Sequence, residues 1–163
     1  MSIRNAARAI LVDRGKILLN KNQNSTGDSL YGLPNGAIYY DLPGGGQNQY
    51  ETLEEAVRRE CLEETGYAVA VQRLAAICEE ISAHEGFRRD CPQYAHKVHF
   101  LFVCRLADEP QKPLGEKDMD YLESVWVDLE EMKNILLYPK IIHENLPRML
   151  ASDDILYLGS ERV

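Results

Sequence analysis

Residues 51–67 read ETLEEAVRRECLEETGY, and three glutamates in the second half, Glu60, Glu63 and Glu64, restrict the fold more than any other feature. Leu53, Ala56 and Val57 recur at the spacing of one helical face. A turn of about 100° per residue places the three acids within about 100° of one another, on the same side. Carboxylates there repel one another, sit at the negative end of a helix dipole and invade the stripe that should pack on a core. Something cationic must offset this, and oxygen-only donors at such spacing suit a hard divalent ion such as Mg²⁺ or Mn²⁺.

Local signals set the ends of this helix. Thr52 followed three residues later by Glu55 is a capping box, so the helix is predicted to begin at Leu53. Gly66 suits the position just past its end, which puts the last helical residue near Thr65. Glu54 with Arg58, and Glu55 with Arg59, have the spacing of helical acid-to-base pairs. Upstream, Leu42-Pro43-Gly44-Gly45-Gly46 is a turn in which backbone can approach a metal or phosphate without a Cβ in the way. It matches neither G-x-x-x-x-G-K-[ST] nor G-x-G-x-x-G, and by itself a glycine-rich bend is only a connection.

Taken together, residues 45–67 match the pattern G-x5-E-x7-R-E-U-x-E-E-x-G-U at Gly45, Glu51, Arg59, Glu60, Glu63, Glu64 and Gly66, and the chain resembles a Nudix hydrolase. Cys61 and Tyr67 replace the usual aliphatic residues at two positions and are apolar enough to pack. The resemblance implies an α/β (α+β) fold, a Nudix-type α/β/α sandwich with a mixed β-sheet.

Length and composition agree with one domain over residues 1–163, with the Nudix box at 45–67. No apolar run approaches a membrane span and the N-terminus lacks a secretory h-region, so a cytoplasmic protein without membrane contact is expected. Cys61, Cys78, Cys91 and Cys104 form no C-x-x-C pair and read as reduced, mostly buried thiols. A net charge of −8 works against long nucleic acid, which requires clustered Lys and Arg. A small phosphorylated, nucleotide-like partner stays compatible, because bound cations invert the local sign of an acidic pocket. A homodimer would be in keeping with the resemblance.

Strands are expected at 5–12, 16–20, Ala37–Leu42, Ala68–Glu80, His96–Arg105 and Leu122–Val127, with a turn at Asp13-Arg14-Gly15. Phe100–Cys104 is apolar on both faces, which marks a central strand. His96 alternates with Val98, Phe100 and Phe102 and reads as a core-edge residue rather than a ligand. A short helix near Leu129–Leu136 and a longer one between Lys140 and Leu150 complete the chain.

The resemblance also implies a chemistry: divalent metal held by Glu60, Glu63 and Glu64 with the Gly45 carbonyl, and water attack on the phosphorus of a diphosphate. Glu51 and Arg59 match positions that orient those acids, although ordinary surface ion pairing explains the same pair. Glu60 is the favoured general base, with the loop acids Glu85, Glu116 and Asp118 as alternatives. Substrate choice falls to loops at Asn22–Gly36, Ser82–Ala95 and Ala107–Tyr121. Within the second, Arg88 and Arg89 suit phosphate, while Phe87 and Tyr94 suit stacking on a base. An exposed charged loop around an aromatic anchor accounts for those letters equally well.

Other chemistries fit worse. His84-Glu85 and His143-Glu144 lack the second histidine of H-E-x-x-H, no G-x-S-x-G elbow occurs, and Cys91 has no argued base beside it. Two classes stay open, a metal-dependent pyrophosphohydrolase and a catalytically silent nucleotide-binding module. The intact acid trio favours the enzyme, since a retired site has no need of such repulsion.

Overall fold

The computed structural model describes residues 3–25, 31–107 and 120–163. Strand β1 (Arg4–Asp13) turns into β2 (Lys16–Gln23) through Arg14 and Gly15, both at positive φ (48° and 78°), the twist a two-residue hairpin requires. The two strands pair only beside that turn, at Val12 with Ile17 and Asp13 with Lys16, and then separate. β1 continues parallel to β6 (His96–Leu106) and takes the short β4 (Gly44–Gly46) on its other side. β2 instead pairs with β3 (Ile38–Asp41) and β7 (Tyr121–Asp128). Next to β6 come β5 (Val69–Ile81), antiparallel to it, and β8 (Leu156–Arg162), parallel to β5. These eight strands form one mixed sheet in the order β3-β2-β1-β6-β5-β8, with β4 attached to β1 and β7 to β2.

Strand alternation sends apolar side chains to both faces, and a helix covers each. α1 (Leu53–Thr65) buries Ala56, Val57 and Cys61 among Ala7, Ala9, Leu11, Leu18 and Phe102. On the opposite face α3 (Lys140–Ala151) buries Ile142, Leu146 and Met149 against Ile10, Ile17, Leu19 and Leu101. β6 feeds both layers through Leu101 and Phe102, as its doubly apolar sequence requires. The expected α/β/α sandwich on a mixed sheet is thus observed.

The limits of α1 are those its caps dictate. Thr52 Oγ1 accepts from the Glu55 amide at 3.2 Å, and Glu55 Oε2 accepts from the Thr52 amide at 2.8 Å. Gly66, at φ 76°, closes the C-terminus by donating to Leu62 O at 2.9 Å. Thr52→Ala is expected to cost about 0.5–2 kcal/mol, read as a lower urea midpoint at unchanged slope.

Four features depart from the sequence reading. The glycine turn contains β4, because its backbone pairs with Ala6–Arg8 of β1. The segment 82–95 holds a helix, α2 (Glu85–Asp90), whose first turn is capped by His84 Nδ1 accepting from the Phe87 amide at 3.0 Å. β8, polar at alternate positions and at the sheet edge, is organised by parallel pairing with β5 rather than by its own pattern. Arg59 pairs not with Glu55, which is committed to the cap, but with other acids described below. The segment after β7 is a 3-10 helix, Leu129–Asn134. Cys61, Cys78 and Cys104 are buried and Cys91 is half-buried, all as free thiols, and burial pushes the first three up to about 12. Among the described residues no helix is long and apolar enough to cross a membrane.

Candidate active site

Helix α1 crosses β4, and its acids meet the glycine strand there. The Glu60 carboxylate lies directly on Gly45: a Cβ at residue 45 would come within 2.5 Å of Glu60 Cδ. Only glycine permits that approach.

Arg59 organises the outer half of the site. Its Nε and Nη2 donate to the two carboxylate oxygens of Glu51 at 2.7 and 2.9 Å, a bidentate fork, and Nη2 also reaches Gly46 O at 3.0 Å. Nη1 donates to Glu60 at 2.8 Å and Glu63 at 3.2 Å. One guanidinium thus binds three acids. The hydrogen bonds from Arg59, with one from the Asn48 amide, hold Glu51 below the usual carboxylate range, and the bond to Glu51 keeps Arg59 firmly protonated.

Glu64 faces inward. Its Oε2 accepts from Asn20 Nδ2 at 2.7 Å and from the Gly44 amide at 2.8 Å, so it bridges the two branches of the sheet where β1 and β2 have parted. Burial pushes its carboxyl up to about 7; Arg8 and the two hydrogen bonds oppose that rise, while Asp41 adds to it. Arg8, inward on β1, donates to the carbonyls of Leu42 (3.0 Å) and Gly44 and lies 3.9 Å from Asp41.

A second polar cluster lies on the α3 side of the sheet. Glu80 is buried, yet it takes Lys97 Nζ at 2.7 Å, His99 Nε2 at 3.2 Å and the Tyr31 hydroxyl at 3.3 Å. Burial alone would raise its pKa, but the Lys97 charge and the His99 hydrogen bond hold it well below the usual range. Tyr31 stacks on Tyr138 (centroids 4.3 Å apart) and meets Tyr39 edge-on at 5.7 Å. Arg8 feels both Glu64 and Glu80, which couples the two clusters electrostatically.

Of the residues singled out in the sequence, Gly45, Glu51, Arg59, Glu60 and Glu63 share one network, and Glu64 sits on the far side of β4's amide. Arg88 Nε is spent on Ser82 O, and Arg89 forks onto its neighbour Asp90 at 2.8 and 3.0 Å in solvent. Phe87 is half-buried, and Tyr94 lies under the Arg4 guanidinium at 4.9 Å. Glu85 occupies the first turn of α2; Glu116 and Asp118 lie outside the described residues. Arg8, Asn20 and the Glu80 cluster escaped the sequence reading. For Arg8 a signal existed, a cation placed between Ala6 and Ile10 on an apolar strand face.

The donor set fits a hard divalent cation. It is all oxygen, Glu60 and Glu63 already converge on a single cationic nitrogen, and residue 45 leaves a cradle that any Cβ would fill. Among the described residues no three Asp, Glu, His or Cys side chains are gathered closely enough to enclose an ion, because Arg59 holds two of the acids and Asn20 with Gly44 holds the third.

A family model, the NUDIX domain, matches residues 2–149. Among solved structures, a NUDIX hydrolase from Nitrosomonas europaea superposes with a TM-score of 0.69 at 19% identity, covering 92% of this chain and 90% of that one. An ADP-ribose pyrophosphatase from Streptococcus suis gives 0.61 at 21% identity over 98% and 100% of the two chains. A UDP-X diphosphatase gives 0.63 at 19% identity over 99% of this chain and 68% of that one. At such identities the likeness to these structures is one of fold.

Proposed function

Since this chain belongs to the NUDIX domain family, we propose that it is a pyrophosphohydrolase dependent on Mg²⁺ or Mn²⁺, cleaving a nucleoside diphosphate linked to a second group by water attack on phosphorus. The observation that carries this reading is the convergence of Glu51, Arg59, Glu60 and Glu63 beside Gly45. Two of the structural relatives are named for ADP-ribose and UDP-X, both nucleoside diphosphates carrying a further group, which supports the substrate class.

Glu60, Glu63 and Glu64 with the Gly45 carbonyl would hold the cation. When bound, it would neutralise the diphosphate oxygens, lower the pKa of the attacking water and stabilise the leaving phosphate. The chain's own part is positional and protonic. Glu51 fixes Arg59, and Arg59 fixes Glu60 by one oxygen, leaving Glu60 Oε2 to accept the water's proton. Glu64 ties the helix to both branches of the sheet, so the acids keep their place relative to β4. The residual repulsion among the acids argues against a silent binding module.

Phosphate release from nucleotide sugars, dinucleotides and nucleoside triphosphates, with Mg²⁺ or Mn²⁺ and again after chelation, tests the proposal. Turnover that vanishes with EDTA is expected; tight binding without any cleavage would sink it. Gly45→Ala should lower kcat by roughly 10²-fold, because the methyl displaces the Glu60 carboxylate by the better part of an ångström. Unchanged far-UV circular dichroism would show that the loss is local.

A further inference from the structure

Asn20 and Ser124 stand directly opposite each other where β2 pairs with β7, and the register then slips so that Asn22 faces Tyr121 and Leu122 has no partner on β2. Residues three apart on a regular strand point to opposite sides of a sheet. The extra residue turns Tyr121 back to the side of Ser124, and their hydroxyl oxygens lie 2.9 Å apart. Leu122 is left exposed.

The two hydroxyls close a circuit around the last turn of α1. Ser124 Oγ donates to Asn20 Oδ1 at 2.9 Å, Asn20 Nδ2 donates to Glu64 Oε2 at 2.7 Å, and the Tyr121 hydroxyl donates to the Glu64 carbonyl at 3.0 Å. That carbonyl is one of those an α-helix leaves without a donor at its C-terminus. Asn20 is buried, and its amide has one accepting end and one donating end. A serine proton on Oδ1 therefore dictates that Nδ2 faces the carboxylate. β7 thus holds Glu64 twice, at its backbone and through Asn20 at its side chain.

Glu64 is held differently from the other acids. Arg59 binds Glu60 and Glu63 with a positive charge, whereas Glu64 Oε2 takes only the neutral amides of Asn20 and, at 2.8 Å, Gly44. Neutral donors fix a carboxylate without cancelling its charge. Its other oxygen, Oε1, has no hydrogen-bond partner among the described residues. Nor is the circuit needed to dock the helix end, because Trp126 Nε1 donates to the Tyr67 hydroxyl at 3.2 Å and the two rings meet edge-on at 5.7 Å.

Resting on the hydrolase reading of the preceding subsection, we propose that Ser124 and Tyr121 are positioning residues for the reaction: they orient Asn20 and clamp the Glu64 carbonyl, and so fix the direction in which Glu64 presents its carboxylate to a divalent ion. Groups that orient a metal-binding side chain in this way govern affinity and rate without touching the substrate.

Ser124→Ala, Ser124→Thr and Tyr121→Phe test this in three measurements: amide resonances of the metal-free protein, titration with Mn²⁺ alone, and steady-state hydrolysis of the nucleotide from the panel above that turns over fastest. Without metal, Ser124→Ala should move the Asn20 side-chain amide and the Gly44 backbone amide, and Tyr121→Phe those of Thr65 and Gly66. The dissociation constant for Mn²⁺, read by electron paramagnetic resonance, should rise roughly tenfold in both, and kcat should fall by a similar factor with KM unchanged. Ser124→Thr keeps the hydroxyl and suits a strand, so it should restore wild-type behaviour. Unchanged Mn²⁺ affinity and kcat in Ser124→Ala, an equal loss in Ser124→Thr, or a lower urea midpoint as the sole effect would overturn the proposal. A wild type that neither binds Mn²⁺ nor cleaves any nucleotide removes the hydrolase reading by itself. The Asn20 and Gly44 resonances then decide the positioning of Glu64, which stands if they move and falls if they do not.

Discussion

Glu60→Gln is expected to lower kcat for a diphosphate substrate by about 10²–10⁴-fold while the protein stays folded. The carboxylate sits where three demands meet: Arg59 holds Oε1 at 2.8 Å, Gly45 lies beneath the carboxyl group, and the acids at 63 and 64 follow within one turn. An amide has the same shape and keeps the contact with Gly45. It cannot take a proton from water, and it removes one negative charge from the cation's donor set. Stability should hold or rise slightly, because the substitution relieves repulsion at the negative end of α1. Initial rates at saturating Mg²⁺ beside a urea melt decide the matter. A drop of less than tenfold would leave Glu60 only a structural part.

Lys97→Met is expected to destabilise the fold by about 3–5 kcal/mol, since it leaves the Glu80 charge buried without its cation. Lys97 Nζ is 2.7 Å from Glu80, and the remaining partners, His99 and Tyr31, are neutral donors. Neutralising the acid too, in Glu80→Gln/Lys97→Met, should recover most of the loss, and a single variant as stable as the double would refute the pairing. The same cluster sets an acid limit. Burial holds the His99 pKa below its ordinary 6.5, and Nε2–H donation to Glu80 leaves Nδ1 a buried lone pair without a hydrogen-bond partner among the described residues. Lys97 and His99 hold Glu80 below its ordinary 4.5 against burial, with the Arg8 charge nearby. In both cases the unfolded chain binds the proton first. Their stabilisation is therefore full above the unfolded pKa and is lost as pH falls, from about 6.5 for His99 and from about 4.5 for Glu80. Urea midpoints should decline through that range, and Glu80→Gln should flatten the part below 4.5.

Much of the site could be read from one helix and one turn. The spacing of Gly45, Glu51, Arg59, Glu60 and Glu63 located the network now joined by Arg59, because those residues meet across a single turn and thirteen helical residues. The assignment of Arg59 to Glu55 failed for a local reason: Glu55 was the better partner for the Thr52 amide. Arg88 and Arg89 suited phosphate as letters, yet Ser82 O and Asp90 engage them where they stand. β8 and the Glu80 cluster had no local signature, since each depends on strands distant in sequence.

By itself, then, the sequence determined where α1 begins and ends, which of its faces is apolar and that its acids crowd together, because caps and helical spacing act over three or four residues. Tertiary structure alone decided that Glu64 turns inward to Asn20, 44 positions away, while Glu63 stays half-exposed beside Arg59. It likewise decided that Glu80 stays charged in the interior. Burial and the partner a charge finds there depend on strands meeting across the sheet, and no interaction within a short segment can specify that meeting.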